Sequence, residues 1–391
     1  NAAFVPSYAG LVAKNKLLAQ SFAKNIFNFL FVGLLLIILV AEIFMHQIVF
    51  VIAPGFSDNL ELVNLTTKLC RITFPFLFFV CLASFFSAIL NTHSKFGFAA
   101  AIPIILNVIL ISSLLISKYI DLPEVELLSY AVTFAGLVQF ISLIFYTKKY
   151  FKFSIEFKLS INKKLKFFFK KLLPSILSSG VVQINILIGT IIASFQSGAV
   201  SYLYYADRLY QITLAIAGIA VGTVILPELS KKIKLNNYKL AQDLQSKSIN
   251  LCLFISLPAA VGLYIASYDI VNALFGYGSF TETSVKNTSA ALKFFAIGIP
   301  AFALLKIFSS FYFARNNTQT PFHLSAIVVV INLVLSIYLF RIIGFIAIPI
   351  ATTISTWIIV FAYIFKFVEK DIHKFDNIFF RKIIKMFLSS T

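Results

Sequence analysis

Apolar residues in this chain fall into long runs separated by short polar stretches, and the lengths of those runs decide the fold class. The runs cover residues 25–46, 72–91, 98–117, 127–147, 172–195, 202–227, 248–274, 293–314, 322–341 and 343–367. A helix rises about 1.5 Å per residue, so roughly 20 residues cross the ~30 Å hydrocarbon core of a bilayer. The pattern predicts an all-α polytopic membrane protein with about ten transmembrane helices. Most runs are interrupted by Gly, Pro, Ser or Asn, which membrane helices tolerate where neighbouring groups re-satisfy the freed backbone. Residues 368–391 are basic and amphipathic, a pattern suited to the membrane surface or to leading into a further span.

The polar stretches between the runs alternate in charge. Lys148 to Lys171 holds nine lysines and one Glu, and Ser230 to Lys247 holds five lysines and one Asp. The opposite loops (118–126, 196–201 and 275–289) are short and neutral or acidic. By the positive-inside rule the lysine-rich loops are cytoplasmic, and so are residues 1–24. This changes the meaning of the net charge of +18. In a soluble protein such a balance would suggest nucleic acid; here topology accounts for it, and no nucleic-acid partner is expected. Only 12% of residues are charged and mean hydropathy is +0.93, as suits a chain whose main solvent is lipid. Anionic membrane lipids are natural partners of the lysine runs.

The chain also carries an internal repeat. Shifted by 225 positions, residues 68–110 fall on 293–335 without gaps, with ten of 43 positions identical. The matches include Lys68/Lys293, Pro75/Pro300, Ser84/Ser309, Asn91/Asn316 and Asn107/Asn332. Hydrophobicity alone would not duplicate Pro and Asn. The shift carries the second span onto the eighth, a displacement of six, so both copies share one orientation. That predicts two parallel, pseudo-symmetric lobes of six helices around a central cavity, the architecture of an alternating-access transporter. The expected division is 1–170 for the first lobe, 171–367 for the second and 368–391 for the tail, with two helices of the first lobe lying ahead of Asn1.

Charged residues inside apolar spans are costly and default to function. Arg208, in SYLYYADRLYQ, lies about two turns inside the sixth span, and Asp207 precedes it. Adjacent helical residues point in different directions, so one of the pair can face a cavity while the other pairs elsewhere. The planar fork of Arg suits an anionic headgroup. Lys306 lies mid-span in AFALLKIFSS and needs a wet cavity or a partner on another helix. Arg71, Lys293, Arg315 and Arg341 sit at span ends and read as interface anchors. Asn332, Ser336 and Thr352 are the one mid-membrane oxygen cluster that could hold a cation, with no carboxylate beside them in sequence. The three cysteines form no CxxC, and the four histidines have no metal-ligand spacing. No hydrolase, P-loop or dinucleotide-binding signature is present, so an enzyme is not expected.

These stretches carry a family resemblance. AFVPSYAGLVAKNK at 3–16, ITFPFLFFVCLASFFSAILNTHSKF at 72–96 and VQINILIGTIIASF at 182–195 resemble the MurJ/MviN lipid II flippases of the MOP superfamily. So do GAVSYLYYADRLYQITLAIAGIAVGTVILPELSK at 198–231 and FYFARNNTQTP at 311–321. The resemblance implies a monomeric, multi-pass protein of the bacterial inner membrane. It would move the undecaprenyl-pyrophosphate-linked peptidoglycan precursor from the cytoplasmic to the periplasmic leaflet. It implies substrate-binding roles for Arg208, Asp207 and Lys306. It also implies a sodium site at Asn332, Thr352 and the carbonyl of Ile348, although Gly189 and Ser336 stand where acids occur. No other cofactor is implied. Another polyprenyl-linked oligosaccharide or multidrug exporter of the superfamily, and a polytopic enzyme acting on polyprenyl-phosphate lipids, are the alternative readings.

Overall fold

The computed structural model describes residues 4–12, 15–151, 183–315 and 317–369. Among them every regular element is helical. Contacts divide the chain into two compact units, 1–179 and 180–391. The expected lobe boundary at 170/171 and nearly all of the amphipathic tail lie outside the described residues.

Unit 1 runs through α1 (Phe4–Val12), α2 (Lys16–Ile43), α3 (Met45–Ile52), α4 (Leu60–Thr73), α5 (Pro75–Thr92), α6 (Phe96–Ile116) and α7 (Glu124–Thr147). Asn15 caps α2 by accepting from the Leu17 and Leu18 amides at 2.9 and 3.1 Å, and Asn59 caps α4 through the Leu62 amide at 3.0 Å. The core is aromatic: Phe4, Tyr8, Phe27, Phe85, Phe86 and Phe151 pack around Leu82, Ile89 and Leu143. By contrast Ile102 is the one buried residue of α6, where Phe98 and Ile105 also pack on the core while Ile104, Val108, Ile111, Leu114 and Leu115 face outward. In water that face would be untenable; in a bilayer it is the solvated face.

Unit 2 holds α8 (described from Gln183 to Ala193), α9 (Ala199–Leu214), α10 (Val221–Lys234), α11 (Tyr238–Ile265), α12 (Ser267–Phe275), α13 (Glu282–Phe313), α14 (Gln319–Ile343) and α15 (Ala347–Glu369). A π-helical turn, Ala215–Ala220, joins α9 to α10. Helix α13 is the axis of the unit. Ala291, Leu292, Ile299, Ala301, Ala303, Ile307 and Phe311 are wholly buried in it, beneath α9, α11 and α15. Gly218 in the π turn lies so close to α13 that a Cβ there would meet the Ala303 Cα at 3.0 Å. Gly344 ends α14 with φ +65, a conformation that favours glycine.

Among the described residues, length and apolarity alone mark seven helical stretches as membrane spans, fewer than the ten expected. Three local causes account for the difference. The stretch Gln319–Glu369 contains two helices, α14 and α15, folded on each other across Gly344–Ile346. The sixth expected span is split by the π turn and carries the polar Tyr-Asp-Arg segment. The fifth is described only from Gln183.

The repeat reaches further than the aligned stretch. A shift of 225 carries α1–α7 onto α10–α15 in order, with α4 and α5 together matching α13 and every boundary within several residues. It also aligns a side-chain tie to the carbonyl three residues before a proline. Pro75 and Pro300 each remove an amide donor from a membrane helix. In unit 1 the Ile72 carbonyl accepts from Thr133 Oγ1 of α7 at 2.5 Å. In unit 2 the equivalent Ile297 carbonyl accepts from Trp357 Nε1 of α15 at 3.2 Å. Each donor comes from the equivalent helix of its unit.

Candidate functional site

Helix α9 positions the Tyr-Asp-Arg segment. The 100° step between neighbours splits Asp207 from Arg208. Asp207 is half-buried and accepts hydrogen bonds from Gln211 Nε2 and the Tyr210 side chain. Arg208 is exposed, with its guanidinium 4.6 Å from the centroid of the Tyr204 ring one turn earlier. That distance is within cation–π range.

A cavity of about 190 Å³ lies inside unit 2. Asn185 and Gly189 of α8, Asp207 of α9, Asn332 of α14, and Ile348 and Thr352 of α15 line it. Asn332 is 3% exposed. Its Nδ2 donates to Asn185 Oδ1 at 2.6 Å, and its Oδ1 accepts from Ser336 Oγ at 3.1 Å. Thr352 Oγ1 donates to the Ile348 carbonyl at 2.8 Å.

Structure and sequence therefore group the candidates differently. Asp207, read with Arg208 as a substrate residue, lines the same cavity as the three sodium candidates Asn332, Thr352 and Ile348. Arg208 and Lys306 do not line it. Lys306 is exposed, although Leu304, Ile307 and Phe308 around it on α13 are buried. It is the side of α13 turned away from the unit's core that carries the ammonium. Sequence reasoning missed Asn185. Its one signal was a lone amide in the apolar run QINILIG, and its partner lies 147 residues away.

As a cation site the cavity fits poorly. The Asn332 oxygen and the Ile348 carbonyl already accept protein hydrogen bonds, and Gly189 supplies no oxygen from its side chain. The carboxylate present, Asp207, is engaged by Gln211 and Tyr210. A hard cation needs several free oxygens converging on one point.

Residues 1–391, the whole chain, match the family described as lipid II flippase MurJ. The chain belongs to that family. A probable lipid II flippase MurJ of Rhizobium tropici is 37% identical over 92% of this chain and 68% of its own length. Its counterpart in Rickettsia prowazekii (strain Madrid E) is 37% identical over 90% and 70%. Among solved structures, lipid II flippase MurJ in an inward closed conformation superposes with a TM-score of 0.85 at 27% identity, covering 100% of this chain and 79% of that one. An inward-facing multidrug resistance MATE family transporter of the MOP superfamily gives a TM-score of 0.79 at 15% identity, covering 100% and 87%, a likeness of fold. This MurJ family member is thus a multi-pass membrane protein with the fold of the MurJ structure.

Proposed function

We propose that this protein flips lipid II, the undecaprenyl-pyrophosphate-linked peptidoglycan precursor, from the cytoplasmic to the periplasmic leaflet of the bacterial inner membrane. The observation that carries the reading is the match of the entire chain to the lipid II flippase family. Arg208 and Lys306 support it chemically. Each is an exposed cation on a helix whose other face packs into unit 2, and a membrane cation calls for a wet cavity or an anionic partner. The pyrophosphate is such a partner, and Arg208 offers it a fork held by Tyr204. Asp207 serves as a positioning residue for α9 through its bonds to Gln211 and Tyr210.

In this reading transport runs by alternating access, with the substrate path open to one side of the membrane at a time. The headgroup enters from the lysine-rich, cytoplasmic side, the polyprenyl tail stays in lipid, and no bond is made or broken. The Asn332, Thr352 and Ile348 cluster acts as a hydrogen-bonded tie between helices, so transport proceeds without bound sodium.

The test is rescue of a flippase-depleted bacterium by the full-length gene. Wild type is expected to restore growth, in sodium medium and in medium with potassium in its place. Arg208→Ala is expected to fail while still reaching the membrane in normal amount. Failure of wild type despite membrane expression overturns the flippase reading. Full rescue by Arg208→Ala overturns the role of that residue, and rescue that needs sodium overturns the sodium-free reading.

A further inference from the structure

Unit 1 contains a second polar cleft, of about 360 Å³, formed where α3, α4 and α7 meet. His46, Asn64, Thr67, Lys68, Arg71 and Tyr130 line it. Its position on α7 is near the helix start, at the end opposite the lysine-rich loop that follows Thr147.

Two carboxylates stand near these cations. Glu126 is bonded to Lys68 Nζ at 2.5 Å, so that ammonium is largely committed. Glu42, at the end of α2, is close enough to Arg71 to feel its charge, but its Oε1 is buried with no hydrogen-bond partner among the described residues. The carboxylate therefore offsets part of the charge of Arg71 without occupying its fork. The Thr67 hydroxyl is also buried without a partner, on a residue 6% exposed in the wall of the cleft. A buried, unpartnered hydroxyl next to an uncommitted guanidinium needs an explanation. An acceptor placed between them would satisfy both.

Anchoring at a span end would be a sufficient account of Arg71 if the fold needed polar groups there. The other copy of the repeat argues that it does not. Displaced by 225 positions, His46, Thr67 and Arg71 become Val271, Leu292 and Ala296, each 0% exposed. At the other lining positions unit 2 carries Ser289 and Ser355, both buried and bonded within their own helices, in place of Asn64 and Tyr130. Of the charged lining residues, Lys68 alone is shared, as Lys293. Arg71, Thr67 and His46 are thus polar additions to a junction that unit 2 packs without them.

We propose that this cleft is an oxyanion site for a phosphate group, presented either by a membrane lipid headgroup or free in solution. Arg71 supplies paired N–H donors, and the Thr67 and Tyr130 hydroxyls and the Asn64 amide supply further donors.

The test uses the full-length protein in a detergent that carries no phosphate. One arm titrates inorganic phosphate at constant ionic strength; the other titrates phosphatidylglycerol in mixed micelles. Both read the thermal unfolding midpoint. A saturable rise is expected, with half-saturation moved about tenfold or more upward by Arg71→Gln and less by Arg71→Lys. A response in the phosphate arm assigns the site to the free anion as well, and a response confined to the lipid arm assigns it to the headgroup. Arg71 also offsets the charge of Glu42, so each variant's rise is read against its own unliganded midpoint; if Arg71→Gln does not fold, Thr67→Val is titrated in its place and must show the same weakening. No saturable response in either arm, or one that these substitutions leave unchanged, overturns the proposal.

Discussion

Asn332 and Asn185 form the clearest long-range side-chain bond in unit 2, at 2.6 Å between α14 and α8. Hydrogen bonds between membrane helices average about 0.6 kcal/mol and reach about 1.7. Asn332 also holds Ser336, so its loss should fall toward the upper end. Asn332→Leu and Asn185→Leu are each expected to cost about 1 kcal/mol, and the double variant less than their sum. Thermal unfolding of the four proteins in detergent measures this; strict additivity would mean the bond contributes nothing. At this scale the sequence was legible where chemistry is local. The split of Asp207 from Arg208 follows from helical geometry alone. The company of Asp207 does not, because it depends on which face of α9 meets α8, α14 and α15. Those helices bring Asn185, Asn332 and Thr352 from positions far apart in the chain.

At the scale of elements, a side-chain donor meets the carbonyl three residues before each of Pro75 and Pro300. Thr133→Val deprives the Ile72 carbonyl of its hydroxyl, and Trp357→Phe deprives the Ile297 carbonyl of its indole N–H. Each is expected to lower stability by about 1 kcal/mol, the usual net value of one hydrogen bond, read as a lower unfolding midpoint. An unchanged midpoint in both would show that the carbonyls find other donors. The helices themselves were readable from run length and apolarity, and the paired prolines from the repeat. The division of the sixth run was not. A π turn is set by tight packing, here Gly218 against Ala303, and apolar periodicity hardly changes across it.

Over the whole molecule, the aligned stretch of the repeat revealed only part of the duplication. The remainder, α1–α3 against α10–α12 and α7 against α15, emerges from helix boundaries because apolar side chains facing lipid are interchangeable and erase identity while length persists. The proposed orientation is testable at this scale. Cysteines placed at Tyr277 and Lys247, both exposed, should differ in their reaction with a membrane-impermeant thiol reagent applied to intact cells. Tyr277→Cys is expected to label from outside and Lys247→Cys only after the membrane is opened. The reverse pattern would invert the topology. The native Cys70, Cys81 and Cys252 lie within helices and are buried or half-buried, which keeps the background low.

The bond between Thr133 and Ile72 spans 61 residues of chain. Ribosomes add roughly 5–20 residues per second, so the carbonyl of Ile72 exists for several seconds before its hydroxyl has been made. Hydrocarbon offers that carbonyl no second donor during the wait, only the amides of its own chain. The α4–α7 segment is therefore expected to leave the insertion machinery as one group after α7 emerges, and the same delay, with Trp357 as the late arrival, recurs when the second unit is made.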